Sequence, residues 1–157
     1  MKKVISGLMM LAMISLHLPL NSQAPCVMFH RTSCGSMASE EGFMYNSQSK
    51  SGLFAPGTTS KLKCIFYSGL DYSITICADK LLGDGIQFTL TDAASGELLY
   101  DNATDNKIPH MEFSCETTRN MVITVTVPGA GIKKGKSADG GCLGILIEQK
   151  KTPKVGF

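Results

Sequence analysis

The chain is poor in the residues that build catalytic sites. It has three histidines, and His17 lies in an N-terminal apolar stretch, which leaves His30 and His110 for chemistry. A cysteine–histidine nucleophile pair needs an activated free thiol. No two cysteines stand at the C-x₂-C spacing of a zinc site, which excludes that class. No stretch beyond the N-terminal run repeats apolar residues at helical spacing, so a helical bundle is excluded too. An excess of charge of one sign is also lacking. The formal charge of +2 comes from Lys2 and Lys3, and the rest of the chain carries 13 basic and 13 acidic residues. A neutral surface does not draw in phosphate backbones from a distance, so nucleic acid is not an expected partner. The lysines from Lys133 onward face only Asp139 and Glu148 and read as a solvated loop and tail.

What is present starts at the N-terminus. Lys2 and Lys3 precede a mostly apolar run from Val4 to Leu20, and the polar segment Asn21-Ser22-Gln23-Ala24 follows. This is the pattern of a secretory signal peptide over residues 1–22, with cleavage after Ser22 or Ala24. Gly7, His17 and Pro19 interrupt the run, which argues against an uncleaved membrane anchor. Pro25 beside Cys26 argues against lipidation. No transmembrane anchor is expected after cleavage, and the expected location is the periplasm or the cell exterior. All six cysteines (Cys26, Cys34, Cys64, Cys77, Cys115 and Cys142) follow the signal. An even count in an exported chain points to disulfides. About 133 residues remain, enough for one domain with its own core. Of the nine methionines, Met1, Met9, Met10 and Met13 precede the cleavage zone, and the other five are scattered and read as packing.

Residues 23–41 lack periodicity and read as an irregular arm. Residues 42–150 form the expected domain, and 151–157 a tail. Within the domain, short runs alternate apolar and polar residues between turn signals. Leu62, Cys64 and Phe66 alternate with lysines. Ser68-Gly69-Leu70-Asp71 then turns the chain into Tyr72, Ile74 and Ile76, a pattern that predicts a hairpin. Ile86, Phe88 and Leu90 form the next run, followed by Glu97 to Tyr100. Met111, Phe113 and Cys115 come after that, then Arg119 to Val127 and Cys142 to Gln149. Alternation of this kind buries one face and wets the other. Seven to eight such strands predict an all-β fold, an antiparallel β-sandwich or jelly roll.

Several of these segments together resemble a known family. Gly52-Leu53-Phe54, Gly69-x-Asp71-Tyr72-Ser73-Ile74, Phe88-Thr89-Leu90-Thr91-Asp92, Gly96-Glu97-Leu98-Leu99-Tyr100 and Arg119 to Val125 look like the bacterial pre-peptidase C-terminal type of domain. The resemblance covers roughly residues 42–149. It implies a β-sandwich of the kind found beside secreted peptidases, some of which bind calcium or matrix polymers, here in a free-standing form without a peptidase domain or an assigned activity.

Four residues of one loop, Asp101, Asn102, Asp105 and Asn106, concentrate oxygen ligands and form a weak calcium candidate. Asp and Asn are also what turns select, and the loop lacks the central glycine and closing Glu of an EF-hand. Ala130 to Ser137 fits a relaxed phosphate-loop pattern, but Ala138-Asp139-Gly140-Gly141 cannot open the helix such a site needs. Strand parity yields a disulfide expectation. Cys64 and Cys115 face the core, either bonded or as buried free thiols. Cys77 and Cys142 face outward and are expected to pair, leaving Cys26 with Cys34 in the arm. No catalytic, cofactor or metal set stands out. The expected function is a non-enzymatic exported binding or structural module with a protein or polysaccharide ligand. The alternative is a small exported hydrolase or a protease-associated or inhibitor domain.

Overall fold

The computed structural model describes residues 26–129 and 140–153. The expected signal peptide, the phosphate-loop-like segment and the end of the tail lie outside the described residues. Among those described, the chain forms nine strands in two antiparallel sheets. They are β1 (Met44–Tyr45), β2 (Lys50–Phe54), β3 (Thr59–Phe66), β4 (Leu70–Ala78), β5 (Gln87–Asp92), β6 (Leu98–Asp101), β7 (His110–Cys115), β8 (Arg119–Thr126) and β9 (Gly141–Lys151). Sheet I runs β1-β9-β4-β7, with β2 also on β9, and sheet II runs β3-β8-β5-β6. The all-β sandwich read from the alternation is thus the observed fold.

Alternation places Phe66, Tyr72, Ile74, Phe88, Leu90, Ile123, Val125, Leu143 and Ile147 between the sheets, all fully buried. Each such side chain contributes roughly 1.5–3 kcal/mol relative to leaving it in water. Phe66 meets Tyr72 edge-on at 4.7 Å and Phe113 at 5.2 Å, so one end of the core is aromatic. The outer strand β3 is protected by a side chain. The Gln48 amide bonds both the N–H and the C=O of Ile65, at 2.7 and 2.9 Å, and so occupies an edge that could otherwise pair with another chain.

The structure corrects three expectations. First, β3 and β4 are not a hairpin, because β3 pairs with β8 and β4 pairs with β7 and β9. Their apolar faces point at each other across the core, so the Tyr67–Gly69 turn carries the chain from one sheet to the other. Second, the arm is not merely irregular. A one-turn helix, α1 (Phe29–Thr32), packs against β9 and β2. The arm then continues over the outer face of sheet I. Ser36 donates to Glu148 at 2.6 Å, and Ser39 bonds Glu112 through its backbone N–H and its hydroxyl at 2.5 and 2.7 Å. Glu40 pairs with Lys150.

Third, the disulfides are Cys26–Cys142 and Cys34–Cys77, in place of Cys77–Cys142 and Cys26–Cys34, while Cys64 and Cys115 are buried free thiols. Cys77 and Cys142 do lie on the same outer face, as their strand parity predicts. The register sets Gly144, not Cys142, opposite Cys77. The two outward cysteines are therefore diagonal neighbours, beyond the ~4 Å Cβ separation a bond needs. Each is bonded instead by an arm cysteine lying over that face.

Candidate functional site

The β3–β4 turn, Tyr67–Gly69, links sheet II to sheet I at one end of the sandwich. Its glycine is required, since Gly69 has φ +75°, a conformation that side-chain-bearing residues rarely adopt. Each N–H of the turn, and the Gly69 carbonyl, is held by a hydrogen bond. Tyr67 N–H donates to the Tyr72 hydroxyl at 2.9 Å, Ser68 N–H to the Thr118 hydroxyl at 3.0 Å and Gly69 N–H to the Cys115 carbonyl at 2.8 Å, while Thr152 N–H donates to the Gly69 carbonyl at 3.1 Å. Tyr72 is fully buried and its phenol is pushed up by burial, so it remains a neutral hydrogen-bond partner for the loop. Against this fixed backbone the Tyr67 side chain stands 53% exposed.

One concave surface borders the turn at Tyr67 and Leu70, and a second begins at Asp71, beyond it. One cleft of about 470 Å³ is lined by Tyr45, Asn46, Ser47, Gln48, Tyr67, Leu70 and Gln149. Another, of about 460 Å³, includes Phe43, Asp71, Glu112 and Lys150. In the second, the Asp71 carboxylate accepts from the Ser114 and Thr152 hydroxyls, and these bonds hold it below its usual range. Burial pushes Glu112 up, but the bonds from Ser39 and His110 outweigh it and hold the group below its ordinary value.

Both histidines sit beside hydroxyls, and neither arrangement makes a nucleophile. The Ser51 hydroxyl donates to the Cys26 carbonyl at 2.7 Å, so the 2.9 Å contact between Ser51 Oγ and His30 Nδ1 must have the ring as donor. His30 Nε2 then accepts from the Tyr45 hydroxyl at 3.2 Å. This chain runs the wrong way for a base and serves to anchor α1 to β1 and β2. His110 lies between Thr75 at 3.3 Å and Glu112 at 3.1 Å, but Thr75 is only 3% exposed and out of reach of a substrate. The free thiols are also inert. Burial pushes Cys64 up to about 11 and raises Cys115 as well.

His30 yields a pH prediction. Burial first, then the nearby Arg31 and Lys50, lower its value below the ordinary 6.5. The unfolded chain therefore binds a proton more readily than the folded one. The contribution of His30 is complete above 6.5 and is lost as pH falls from there through the folded value. The melting temperature should drop on acidification below about pH 6.5, and His30→Gln should flatten that slope. A wild-type melt unchanged between pH 7 and 5 would contradict this.

The loop proposed as a calcium candidate is used by the fold itself. Asn102 is fully buried; its Oδ1 accepts from Phe88 N–H at 2.8 Å and its amide donates to the Ile86 and Ile108 carbonyls. Asp101 accepts from Ala103 N–H at 2.8 Å, and Asp105 accepts from the Tyr100 hydroxyl at 3.2 Å. Asn106 is in the left-handed region, φ 48°, as a turn residue. Among the described residues no cluster of three His, Cys, Asp or Glu side chains could hold a metal, and no helix is long and apolar enough to cross a membrane. In the sequence Ser68-Gly69-Leu70-Asp71 reads only as a turn, with Tyr67 just before it. The signal for more was an aromatic, Tyr67, placed directly before Ser-Gly.

The fold and this end of it define an antiparallel β-sandwich that presents a hydrogen-bonded loop beside a cleft. No known family profile matches the chain, and no curated protein does. Among solved structures it is similar to Aeromonas hydrophila PliG, a periplasmic lysozyme inhibitor of g-type lysozyme, at 14% identity over 63% of this chain and 83% of that one, with a TM-score of 0.44.

Proposed function

We propose that the chain is an exported, non-catalytic binding module that docks a protein partner with the Tyr67–Leu70 end of its sandwich. The observation that carries this is the pinned backbone under a half-exposed tyrosine. Ordering a loop on binding costs free energy, and a loop already held by four hydrogen bonds avoids that cost. Tyrosine is among the residues that dominate protein interfaces, because it buries a large area with few rotatable bonds. The two hydroxyl–histidine pairs lack either a usable proton path or access, which supports a module without catalysis. The leader-like N-terminus and two disulfides support an oxidising compartment.

The test is capture of exported proteins of the host on immobilised wild-type chain, with Tyr67→Ala and Leu81→Ala in parallel. Leu81 is 67% exposed beyond the opposite end of β4 and serves as a control. A g-type lysozyme, the enzyme that PliG inhibits, is a defined protein probe for the same format. A captured protein should bind at least about 30-fold more weakly to Tyr67→Ala, the effect of losing an interface hot spot, and equally to Leu81→Ala. Equal capture by wild type and Tyr67→Ala, or no capture at all, would overturn the reading.

A further inference from the structure

We propose that the cleft between Tyr45 and Tyr67 is a binding site for a neutral carbohydrate. This goes beyond protein docking, since it uses the wall of the loop end that faces the β1–β2 connection. The cleft holds about 470 Å³, within the ~300–1,000 Å³ range of small-ligand sites. Its lining is two phenols, a hydroxyl, three amides and one leucine, with no carboxylate, lysine, arginine or histidine. Such a lining has no charged side chain to pair with an ionic ligand. It suits a ligand made of hydroxyls and C–H faces.

The walls are fixed before any ligand arrives. The Tyr45 ring stacks on His30, has the Arg31 guanidinium 4.2 Å from its centre, and spends its hydroxyl on His30. Asn46 is buried; it donates to Gln149 Oε1 at 2.6 Å and accepts from Gln48 N–H at 2.9 Å. Gln48 is tied to Ile65. These bonds set the orientation of the Gln149 amide, whose carbonyl is used and whose N–H donors have no partner among the described residues. The hydroxyls of Ser47 and Tyr67 are likewise unused there. A sugar ring lying on Tyr67 would place its apolar face on the phenol and its hydroxyls toward Gln149 and Ser47. Donors already oriented by the fold cost little further ordering.

The experiment is an amide chemical-shift titration of the mature chain with chitotetraose, cellotetraose and xylotetraose. At least one should bind with a dissociation constant on the order of 1 mM and move the signals of Ser47, Tyr67 and Gln149. Tyr67→Ala should weaken it by at least about tenfold through the lost ring face. Gln149→Glu, which keeps the oxygen that accepts from Asn46 and removes the N–H donors, should also weaken it, and Leu81→Ala should not. No response to any of the three sugars, or a response unchanged in both cleft variants, overturns the site. Tyr67-dependent protein capture with no sugar response removes this proposal alone. Sugar binding without protein capture removes the protein-docking reading instead.

Discussion

Replacing Cys26 and Cys142 together by alanine is expected to lower the unfolding free energy by about 5 kcal/mol, the loop-closure value for a bridge spanning 116 residues. The bond ties the start of the arm to the start of β9, the strand that pairs with β1, β2 and β4. Without it, the denatured chain gains the freedom of nearly the whole domain. Cys26 is 1% exposed, so its loss also loosens the packing beneath α1. The measurement is a denaturant titration of the oxidised wild type and the double variant. Peptide mapping without reductant should link Cys26 to Cys142 and Cys34 to Cys77. A midpoint shift equivalent to less than about 1 kcal/mol would show that the arm contributes little. A Cys77–Cys142 peptide would show that the register between β4 and β9 is wrong.

Gly144→Ala is the second large effect. Gly144 lies opposite Cys77 in the β4–β9 ladder, beneath the arm. A Cβ at this position would stand 2.9 Å from Cys34 Sγ, 3.0 Å from Cys77 Sγ and 3.0 Å from the His30 Cα. Two of these neighbours are joined in one disulfide and the third is the backbone of α1, so none is the free end of a flexible side chain. Overpacking of this kind costs about 1–3 kcal/mol. If the added methyl prevents Cys34–Cys77 from closing, about 4 kcal/mol more is lost, the loop-closure value for a separation of 43 residues. Thiol counting under denaturing conditions separates the two cases. Wild type should release two thiols, Cys64 and Cys115, and a variant with the bridge open should release four. An alanine variant with wild-type stability and two thiols would mean that the arm sits higher over the sheet than described.

The strands are legible in the sequence where one face is buried and the other is wet. Leu62 to Phe66 and Met121 to Val125 alternate because they lie in sheet II, whose other face is open to water. The alternation is weaker where the arm covers sheet I. Ser73 and Thr75 are buried on the outer face of β4 beneath or beside the arm, while Tyr72, Ile74 and Ile76 are buried on the inner one. Polar residues there look solvent-facing in the sequence, although a second layer of chain covers them. For the same reason the outward cysteines pointed toward each other on paper. Parity records which face a cysteine takes, but not which segment lies over that face.

The candidate site was less legible still. Ser68-Gly69 reads as a turn in any β protein, and the partners that hold it come from three places along the chain: Tyr72, the Cys115–Thr118 connection and Thr152. The cleft beside it joins the β1–β2 connection to β9 across a separation of 103 residues between Asn46 and Gln149. No local pattern announces such a meeting.

By itself, then, the sequence determined the all-β class, the inward set of core residues and the outward facing of Cys77 and Cys142. All of these follow from a two-residue period, which is a property of each strand alone. Only the tertiary structure decided that the β3–β4 turn crosses between sheets, that the arm rather than a neighbouring strand supplies the disulfide partners, and that Tyr67 stands exposed on a pinned loop. Those outcomes depend on inter-strand register and on which distant segment covers which face. Both are set by the packing of the whole sandwich.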